Sequence, residues 1–547
     1  MSNFRQGPFD PRAARFQALA GRVDAALKSN DIAAAIDGAQ VAIAEGHAHP
    51  AFFNILAAHE MQRGRYSEAL DQLRKGLKLA PRDPNLLNMA GVAHNNLREY
   101  REAVRAFDSA VSSGLAMPQA FYNRGTAFEA LGELDRAHSD FERAVTLQPN
   151  FPEALSRLAY AEAVRGRLTA ARSRAENALR LNPRDPLSQI VLAMADNADG
   201  QFSFTITRLT ALLPALASGP VNRALALGLL GDAYDGAGDT EMAFDAYTAS
   251  AAVLQQLYAL QFARDDAYAQ AQMLLDYFSH VAWRADFAVP ADPHVAGHVF
   301  LVGFPRSGTT LLEQTLAGNA NVVTSEERSL LGDTVIDFVG SLAGLDRFAA
   351  LEQPALQRLR DAYWTAARQA GLKFNGKVFI DKLPLNTVLL PVIARLFPRA
   401  KILFALRDPR DVVFSCFRRS FGMSAQMYQF VTLDGAARYY DIVMRASERY
   451  RDLGLAWRDV RHEDLVRDYE AQARDICGWL GLAWDAEMVR VAERLSTRAV
   501  NTPSTLQIVK GVNTKAFAAW RRYAPQMKDV LQTLEPWVRR FGYGETA

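Results

Sequence analysis

The sequence contains only two cysteines, Cys416 and Cys477, among its 547 residues. Two cysteines cannot build a disulfide framework, so a disulfide-rich secreted scaffold is excluded and a reducing compartment is indicated. There is no run of about 18 apolar residues, which is the length that a membrane-spanning helix needs. The first 16 residues are polar and interrupted by proline, unlike a secretory leader. We therefore expect a cytoplasmic protein without a membrane partner.

A strong net charge is also missing. The 62 lysines and arginines nearly balance the 60 aspartates and glutamates, leaving +2, which gives no reason to expect a nucleic-acid partner. Metal-binding patterns such as HExxH, CxxC or a carboxylate cluster are lacking, so we expect no metal. The length predicts two to four folding units, and the oligomeric state is left open.

The first half of the sequence repeats itself every 34 residues. Three residue types keep this period: alanines (Ala69, Ala103, Ala137, Ala171), glycines (Gly64, Gly132, Gly166, with Arg98 in the missing slot) and prolines (Pro81, Pro149, Pro183). Small residues let two antiparallel helices touch, glycine turns the chain, and proline stops the second helix. The pattern resembles the tetratricopeptide repeat, and we extend it from about residue 11 to about residue 285.

An array of this kind offers a groove that often holds a peptide or a partner protein. Helices expected to line the groove carry Asn88, Asn95, Asn96, Asn123 and Arg124. The sequence does not decide whether these side chains contact a ligand or are ordinary solvated surface. A scaffold whose helices only pack against each other is the alternative, and the sequence does not decide between the two.

The helical periodicity of the first half stops at segment 289–293. This segment contains two prolines, which is typical of a linker. The apolar stretch 298–303 predicts a buried strand of a parallel sheet. The loop 303–310 and a predicted helix follow, so that backbone N–H groups and the helix dipole face one anion. Thr309 stands where a nucleoside-triphosphate loop has lysine, and Arg306 supplies a cation from another position.

A second predicted anion site lies about 100 residues further on. The apolar stretch 401–406 predicts another buried strand, and the segment 401–422 carries a local charge of +3. Arg407 follows this strand and Ser415 lies eight residues later on a predicted helix. The two side chains are expected to converge on one phosphate, with the arginine contributing charge and the hydroxyl a hydrogen bond.

These motifs together resemble the sulfotransferases that use 3′-phosphoadenosine-5′-phosphosulfate (PAPS), in particular the tyrosylprotein sulfotransferases. The resemblance covers about residues 297 to 525. It implies that Arg407 and Ser415 hold the 3′-phosphate. The 5′-phosphosulfate is implied to lie in the loop formed by Pro305, Arg306, Ser307, Gly308, Thr309 and Thr310.

The resemblance also assigns the reacting groups. In the pair Glu326-Glu327, it makes Glu327 the base for the acceptor proton, while Arg306 and Lys382 neutralise charge on the leaving phosphate. A late stretch, 504–513, looks like the family motif that contributes Ser504 and Lys510 to the cofactor site.

The sequence departs from the family at two positions. Ser329 replaces an arginine, which weakens the case for acidic peptides as substrates. His462 replaces a tyrosine; both a contact with the cofactor phosphate and a purely structural role stay open for it. Segments 328–375 and 418–440 are expected to wall the acceptor pocket. Candidates for its lining are Arg418, Arg419, Met423, Tyr428 and Tyr439, and for each of them a place on a helix surface or in the core is the favoured alternative.

The sequence thus predicts an all-α tetratricopeptide-like solenoid (1–287), a linker (288–297) and a P-loop-like α/β sulfotransferase domain with a central parallel sheet (298–547). The expected function is metal-free sulfuryl transfer from PAPS to a protein or peptide tyrosine held with help from the repeats, releasing adenosine 3′,5′-bisphosphate. Alternatives are a small-molecule or glycan acceptor, or a nucleotide-binding scaffold without turnover. An ATP-dependent kinase would need the loop lysine that the sequence lacks.

Overall fold

The computed structural model describes residues 11–263, 266–281, 285–286, 292–419, 422–491, 493–494 and 517–544. Helices occupy the first part of the chain: α1 Pro11–Lys28, α2 Ile32–Ala44, α3 Pro50–Gln62, α4 Tyr66–Leu79, α5 Pro84–Asn96, α6 Tyr100–Ser112, α7 Pro118–Ala130, α8 Leu134–Leu147, α9 Pro152–Val164, α10 Leu168–Leu181, α11 Pro186–Ala198, α12 Phe202–Leu212, α13 Pro220–Ala237, α14 Thr240–Phe262 and α15 Ala267–His280. Within the described ranges, no helix combines the length and apolar character needed to cross a bilayer.

The 34-residue period corresponds to pairs of helices. Gly91 of α5 shows why a small residue is needed at its position, because an added Cβ would lie 2.6 Å from the ring of Phe107 on α6. Arg98, which stands in the slot where other repeats have glycine, takes the same left-handed turn, with φ of 62°. The repeat therefore keeps its backbone conformation without glycine, at the cost of some strain.

The remaining elements form an α/β arrangement. The strands are β1 Gly297–Gly303, β2 Val322–Thr324, β3 Val378–Lys382, β4 Lys401–Leu406 and β5 Ala456–Arg461. The helices are α16 Thr309–Leu316, α17 Leu330–Val339, α18 Leu342–Ala349, α19 Gln353–Gln369, α20 Leu390–Leu396, α21 Pro409–Phe417, α22 Ala425–Tyr428, α23 Leu433–Tyr450, α24 His462–Arg467, α25 Tyr469–Leu480 and α26 Ala524–Arg540, with short 3₁₀ turns between several of them.

The five strands make one parallel sheet in the order β2-β3-β1-β4-β5. Side chains of β1 alternate between its two faces: Phe300 and Val302 join one apolar core, and Val299 and Leu301 join the other. A sheet buried on both faces explains why its strands read as continuous apolar runs. Helical repeats followed by a parallel α/β domain confirm the predicted fold class.

By its internal contacts the chain divides into two compact units. One comprises Met1–Glu162 with Ala170–Ser188, and the other Ala163–Thr169 with Gln189–Ala547. The second unit therefore contains α12 to α15 together with the sheet, and Tyr247 of α14 and Leu274 of α15 belong to the same core as Phe300. The linker at 288–297 stays a prediction.

Within the second unit, two aspartates of α13 hold the two arginines that follow α21. Asp232 lies 2.7 Å from Arg419, and Asp235 lies 3.2 Å from Arg418. Asp235 also accepts a hydrogen bond of 2.6 Å from the hydroxyl of Tyr523. Because these charges are largely buried, losing one partner leaves the other without compensation.

We expect Asp235→Ala to lower the free energy of unfolding by about 3 kcal/mol, because it leaves the guanidinium of Arg418 buried without its carboxylate. Asp245→Ala, on the exposed face of α14 in the same helical hairpin, is the matched control and should change stability by less than about 0.5 kcal/mol. Urea unfolding of both variants measures the difference. Equal free energies of unfolding for the two variants would show that Asp235 contributes nothing to the packing of α13.

Candidate active site

The loop between β1 and α16 forms a tight turn against its neighbours. Arg306 has φ of 72° and Gly308 has φ of 91°, both in the left-handed region. At Gly308 an added Cβ would lie 2.4 Å from the ring of His462, so only glycine fits there. The predicted loop residues Pro305, Ser307, Thr309 and Thr310 are all buried. Backbone N–H groups at the start of α16 can therefore meet an anion away from bulk water.

The second predicted anion site adjoins this loop. The Arg306 side chain donates from Nε to Oγ of Ser415 at 3.0 Å. Arg407, just after β4, donates from Nη1 to the backbone oxygen of Arg306 at 3.2 Å. Residues about 100 positions apart in the sequence thus meet at the carboxyl edge of the sheet, where ligands of open α/β folds bind.

The electrostatics of this region favour an anion. Burial, together with the nearby charges of Arg419, Arg407 and Arg418, lowers the pKa of Arg306 to about 9. The group stays charged at neutral pH against the repulsion of its neighbours. A bound anion would relieve this repulsion, so the residues present fit a phosphate-bearing ligand.

His462 follows β5 and packs against the same loop. Burial, and then the charges of Arg407 and Arg306, lower its pKa to about 3, so the imidazole is neutral at physiological pH. Its Nδ1 is buried and makes no hydrogen bond with the described residues. A neutral imidazole at this position can form one hydrogen bond with a ligand, as donor or as acceptor according to its tautomer. A contact with the cofactor phosphate stays a prediction.

Lys382 and Glu327, to which the resemblance gives the reacting roles, are in contact. Lys382 ends β3 with a fully buried side chain, and Glu327 follows β2 with 35% of its side chain exposed. Their Nζ and Oε1 atoms are 2.6 Å apart. The N–H of Glu327 donates to the backbone oxygen of Lys382 at 3.1 Å. The pair therefore combines a buried cation with a carboxylate that solvent, and hence an acceptor, can reach.

The sequence did not point to three further polar residues behind this pair. Glu313 of α16 lies 3.0 Å from Nζ of Lys382. Asp381 accepts hydrogen bonds from Tyr363 at 2.8 Å and from Ser325 at 3.1 Å, and burial raises the pKa of Asp381 to about 6. Ser325 in turn accepts the backbone N–H of Lys382 at 2.8 Å. Asp381 is marked by its place directly after the apolar residues 378–380 of β3. Helix α16 contains several threonines and a glutamine, so no comparable signal marks Glu313.

A pocket in the second unit matches part of the expected acceptor walls. Its lining residues are Tyr247, Ser250, Ala251, Leu254, Phe417, Arg418, Arg419, Met423, Met427, Phe430 and Val431. Arg418, Arg419 and Met423 line this pocket, and its use by an acceptor stays a prediction. Tyr428 packs against Phe262 with ring centroids 5.3 Å apart, and Tyr439 packs in the core against Phe304 and Phe430. Helix α14 supplies part of the wall, which the sequence did not indicate.

Ser504 and Lys510 lie outside the described residues. Within the described ranges, no group of three or more histidine, cysteine, aspartate or glutamate side chains is placed to hold a metal ion.

Comparisons with known proteins address each half of the chain. A model of the sulfotransferase family matches residues 298–486, and a tetratricopeptide repeat model matches residues 20–84, 88–150 and 122–188. Among solved structures, YrrB, "a TPR protein with an unusual peptide-binding site", is 22% identical with a TM-score of 0.26, covering 36% of this chain and 90% of its own.

Curated relatives match the part of the chain that holds the sheet. Protein-tyrosine sulfotransferase 2 of Gallus gallus is 25% identical over 281 residues, 48% of this chain and 72% of its own. Protein-tyrosine sulfotransferase 1 of Danio rerio is 26% identical over 265 residues, 45% of this chain and 72% of its own. An uncharacterized protein of Aquifex aeolicus is 27% identical over 247 residues, 43% of this chain but only 32% of its own length. These matches confirm both resemblances: the chain joins tetratricopeptide repeats to a domain of the sulfotransferase family.

Proposed function

We propose that this protein transfers a sulfuryl group from PAPS to an acceptor hydroxyl, with a protein or peptide tyrosine as the preferred acceptor. The observation that carries the proposal is the meeting of the two anion sites through Arg306, Ser415 and Arg407. PAPS carries its 3′-phosphate and its 5′-phosphosulfate on one ribose. The two sites must therefore adjoin if they hold one molecule of it.

The chain has a candidate group for each part of this ligand. The loop 305–310 and the start of α16 would hold the 5′ end through backbone N–H groups and hydroxyls. Arg407 and Ser415 would hold the 3′-phosphate, and His462 can add a hydrogen bond from a neutral ring. PAPS, when bound, supplies a sulfuryl group activated by its bond to the 5′-phosphate.

Transfer requires that the acceptor lose its proton and that the leaving phosphate be neutralised. Glu327 takes the proton of the acceptor hydroxyl as the acceptor oxygen bonds to sulfur and the bridging S–O bond breaks. Lys382 and Arg306 offset the negative charge that appears on the leaving oxygen, and adenosine 3′,5′-bisphosphate is released. Because Lys382 is fully buried, its charge acts in a medium that screens it weakly.

A tyrosine acceptor is supported by the names of the relatives, which are protein-tyrosine sulfotransferases. The protein has two free cysteines, both buried, which supports a reducing compartment such as the cytoplasm. A small-molecule or glycan hydroxyl, and a nucleotide-binding scaffold without turnover, are the competing outcomes of the test below.

The test is transfer of labelled sulfate from PAPS to four acceptors: a tyrosine peptide, the matched phenylalanine peptide, a simple phenol and an oligosaccharide. We expect label on the tyrosine peptide, none on the phenylalanine peptide, and weaker labelling of the phenol. Labelling of the phenol or the oligosaccharide alone would contradict the peptide acceptor. Absence of label in all four, with adenosine 3′,5′-bisphosphate still bound, would favour the scaffold.

The repeats would raise the affinity for a protein acceptor. Asn88 and Asn95 lie on α5 and are half-buried, and Asn95 donates to the backbone oxygen of Asn123 at 2.9 Å. We expect Asn88→Ala to raise KM for a protein acceptor about three- to tenfold, since one hydrogen bond is worth about 1 kcal/mol, and to leave KM for a simple phenol unchanged. Steady-state kinetics with both acceptors measures this. Equal changes in the KM values for the protein acceptor and the phenol would show that the repeats do not take part in acceptor recognition.

A further inference from the structure

Glu313 has no part in the transfer described above. It lies on α16, the helix that begins at the phosphate loop, and its side chain is fully buried. A glutamate is almost never fully buried unless it is paired. Its two oxygens therefore need partners, and those partners are both at the reacting centre.

The two carboxylate oxygens of Glu313 reach two different segments. Oε2 lies 3.0 Å from Nζ of Lys382, and Oε1 accepts the backbone N–H of Glu326 at 3.1 Å. Glu326 and Glu327 both have left-handed backbones, with φ of 54° and 65°. Such a turn persists only where its surroundings hold it, and the hydrogen bond to Glu313 is one such constraint.

Lys382 thus lies between two carboxylates that differ in exposure. Glu313 is fully buried, whereas Glu327 is 35% exposed and lies 2.6 Å from the same Nζ. When Glu327 accepts a proton it loses its negative charge, and a lysine with no other partner would then be a buried, uncompensated cation. Burial raises the pKa of Glu313 and the charge of Lys382 opposes this rise, so Glu313 is placed to supply the second counter-charge at that moment.

We propose that Glu313 is a positioning residue that holds Lys382 charged and in place throughout the reaction, so that Glu327 is free to change its protonation state. This inference rests on the proposed function for its catalytic consequence, but the contact with Lys382 can be tested without turnover. Burial by itself lowers the pKa of Lys382, and Glu313, followed by Glu327, more than offsets this and raises it.

The first test is a titration of Lys382 in the full-length protein. The ¹³Cε signal of Lys382, in protein labelled with ¹³C-lysine and assigned with Lys382→Met, reports the protonation of the amine. We expect Glu313→Gln to lower the titration midpoint by at least about one pH unit, while retaining the hydrogen bond to Glu326 through the amide oxygen. Glu326→Gln removes a neighbouring charge that has no direct contact with Lys382, and it should shift the midpoint by less than about 0.3 unit.

An unchanged midpoint in Glu313→Gln would overturn the proposal, as would an equal shift in both variants. If Glu313→Gln does not fold, Glu327→Gln decides the question, because Lys382 then keeps Glu313 alone. The Lys382 midpoint in this variant should be no lower than that of an ordinary lysine, and a lower midpoint would contradict the proposal.

The second test separates positioning from packing. We expect Glu313→Gln to lower kcat about 10- to 100-fold while KM for PAPS changes less than about threefold, with part of kcat restored in Glu313→Asp. A higher KM with unchanged kcat would contradict the proposal. If the wild-type protein transfers no sulfate, the proposed function is wrong, and the titration alone decides the role of Glu313.

Discussion

Glu327→Gln is expected to lower kcat for sulfate transfer about 1,000-fold, which is within the range lost when a general base is removed. Glutamine keeps the size of the side chain and can still accept a hydrogen bond from Lys382, so the fold and the cation stay in place. It cannot take the proton of the acceptor hydroxyl. Single-turnover transfer of labelled sulfate from PAPS, measured at saturating donor, gives the change directly.

The control for this variant is Glu326→Gln, which alters the preceding glutamate in the same left-handed turn. It should lower kcat less than about tenfold, because Glu326 does not contact Lys382 and is not the proposed base. Adenosine 3′,5′-bisphosphate should raise the melting temperature of both variants as it does that of the wild type. Equal kcat losses in the two variants would mean that the turn, and not the carboxylate of Glu327, matters.

Arg407→Ala is expected to weaken the binding of adenosine 3′,5′-bisphosphate about 100-fold. A charge-assisted contact with a phosphate in a buried site contributes about 2–3 kcal/mol, and about 1.4 kcal/mol corresponds to a factor of ten. Binding of 5′-AMP, which lacks the 3′-phosphate, should change less than about threefold. Isothermal titration with the two nucleotides measures both affinities.

Arg438→Ala is the matched control, because this arginine is exposed on α23 and contacts Asp434 at 3.0 Å and the ring of Tyr268. It should leave both affinities unchanged. If Arg407→Ala weakens the two nucleotides equally, Arg407 does not read the 3′-phosphate and the assignment of the second anion site is wrong.

Much of the architecture was predictable because it follows from local patterns. The 34-residue period identified the paired helices, and even the slot of Arg98 behaves as the pattern requires, since its backbone adopts the left-handed turn. The strands of a sheet buried on both faces are uninterrupted apolar runs, and a loop that follows such a strand ends at the ligand edge of the sheet. Arg306 and Arg407 were recognisable for this reason.

The surroundings of the reacting pair were not predictable in the same way. Asp381 ends an apolar run in β3, whereas Glu313 lies among threonines and a glutamine in α16. For neither does the sequence say which residue compensates the buried charge, because the partner comes from another element through tertiary packing. The same reasoning applies to α14 and α15. Their repeat-like sequences carry no sign that Tyr247 and Leu274 share an apolar core with the sheet.

Arg419 links a pocket of the second unit to the anion site. The sequence made it a candidate for an acceptor wall, and it lines a pocket in the second unit; whether that pocket receives the acceptor stays a prediction. The structure adds that Asp232 of α13 holds it at 2.7 Å and that its charge acts on Arg306. The hairpin formed by α13 and α14 is therefore part of the environment of the anion site.

A crystal structure of the full chain with adenosine 3′,5′-bisphosphate shows directly whether the two anion sites hold one nucleotide. We expect one molecule whose 5′-phosphate contacts the backbone of the loop 305–310 and whose 3′-phosphate lies within hydrogen-bonding distance of Arg407 and Ser415. A nucleotide bound elsewhere, or one that leaves either set of residues without a phosphate, would show that the two sites do not hold a single donor molecule.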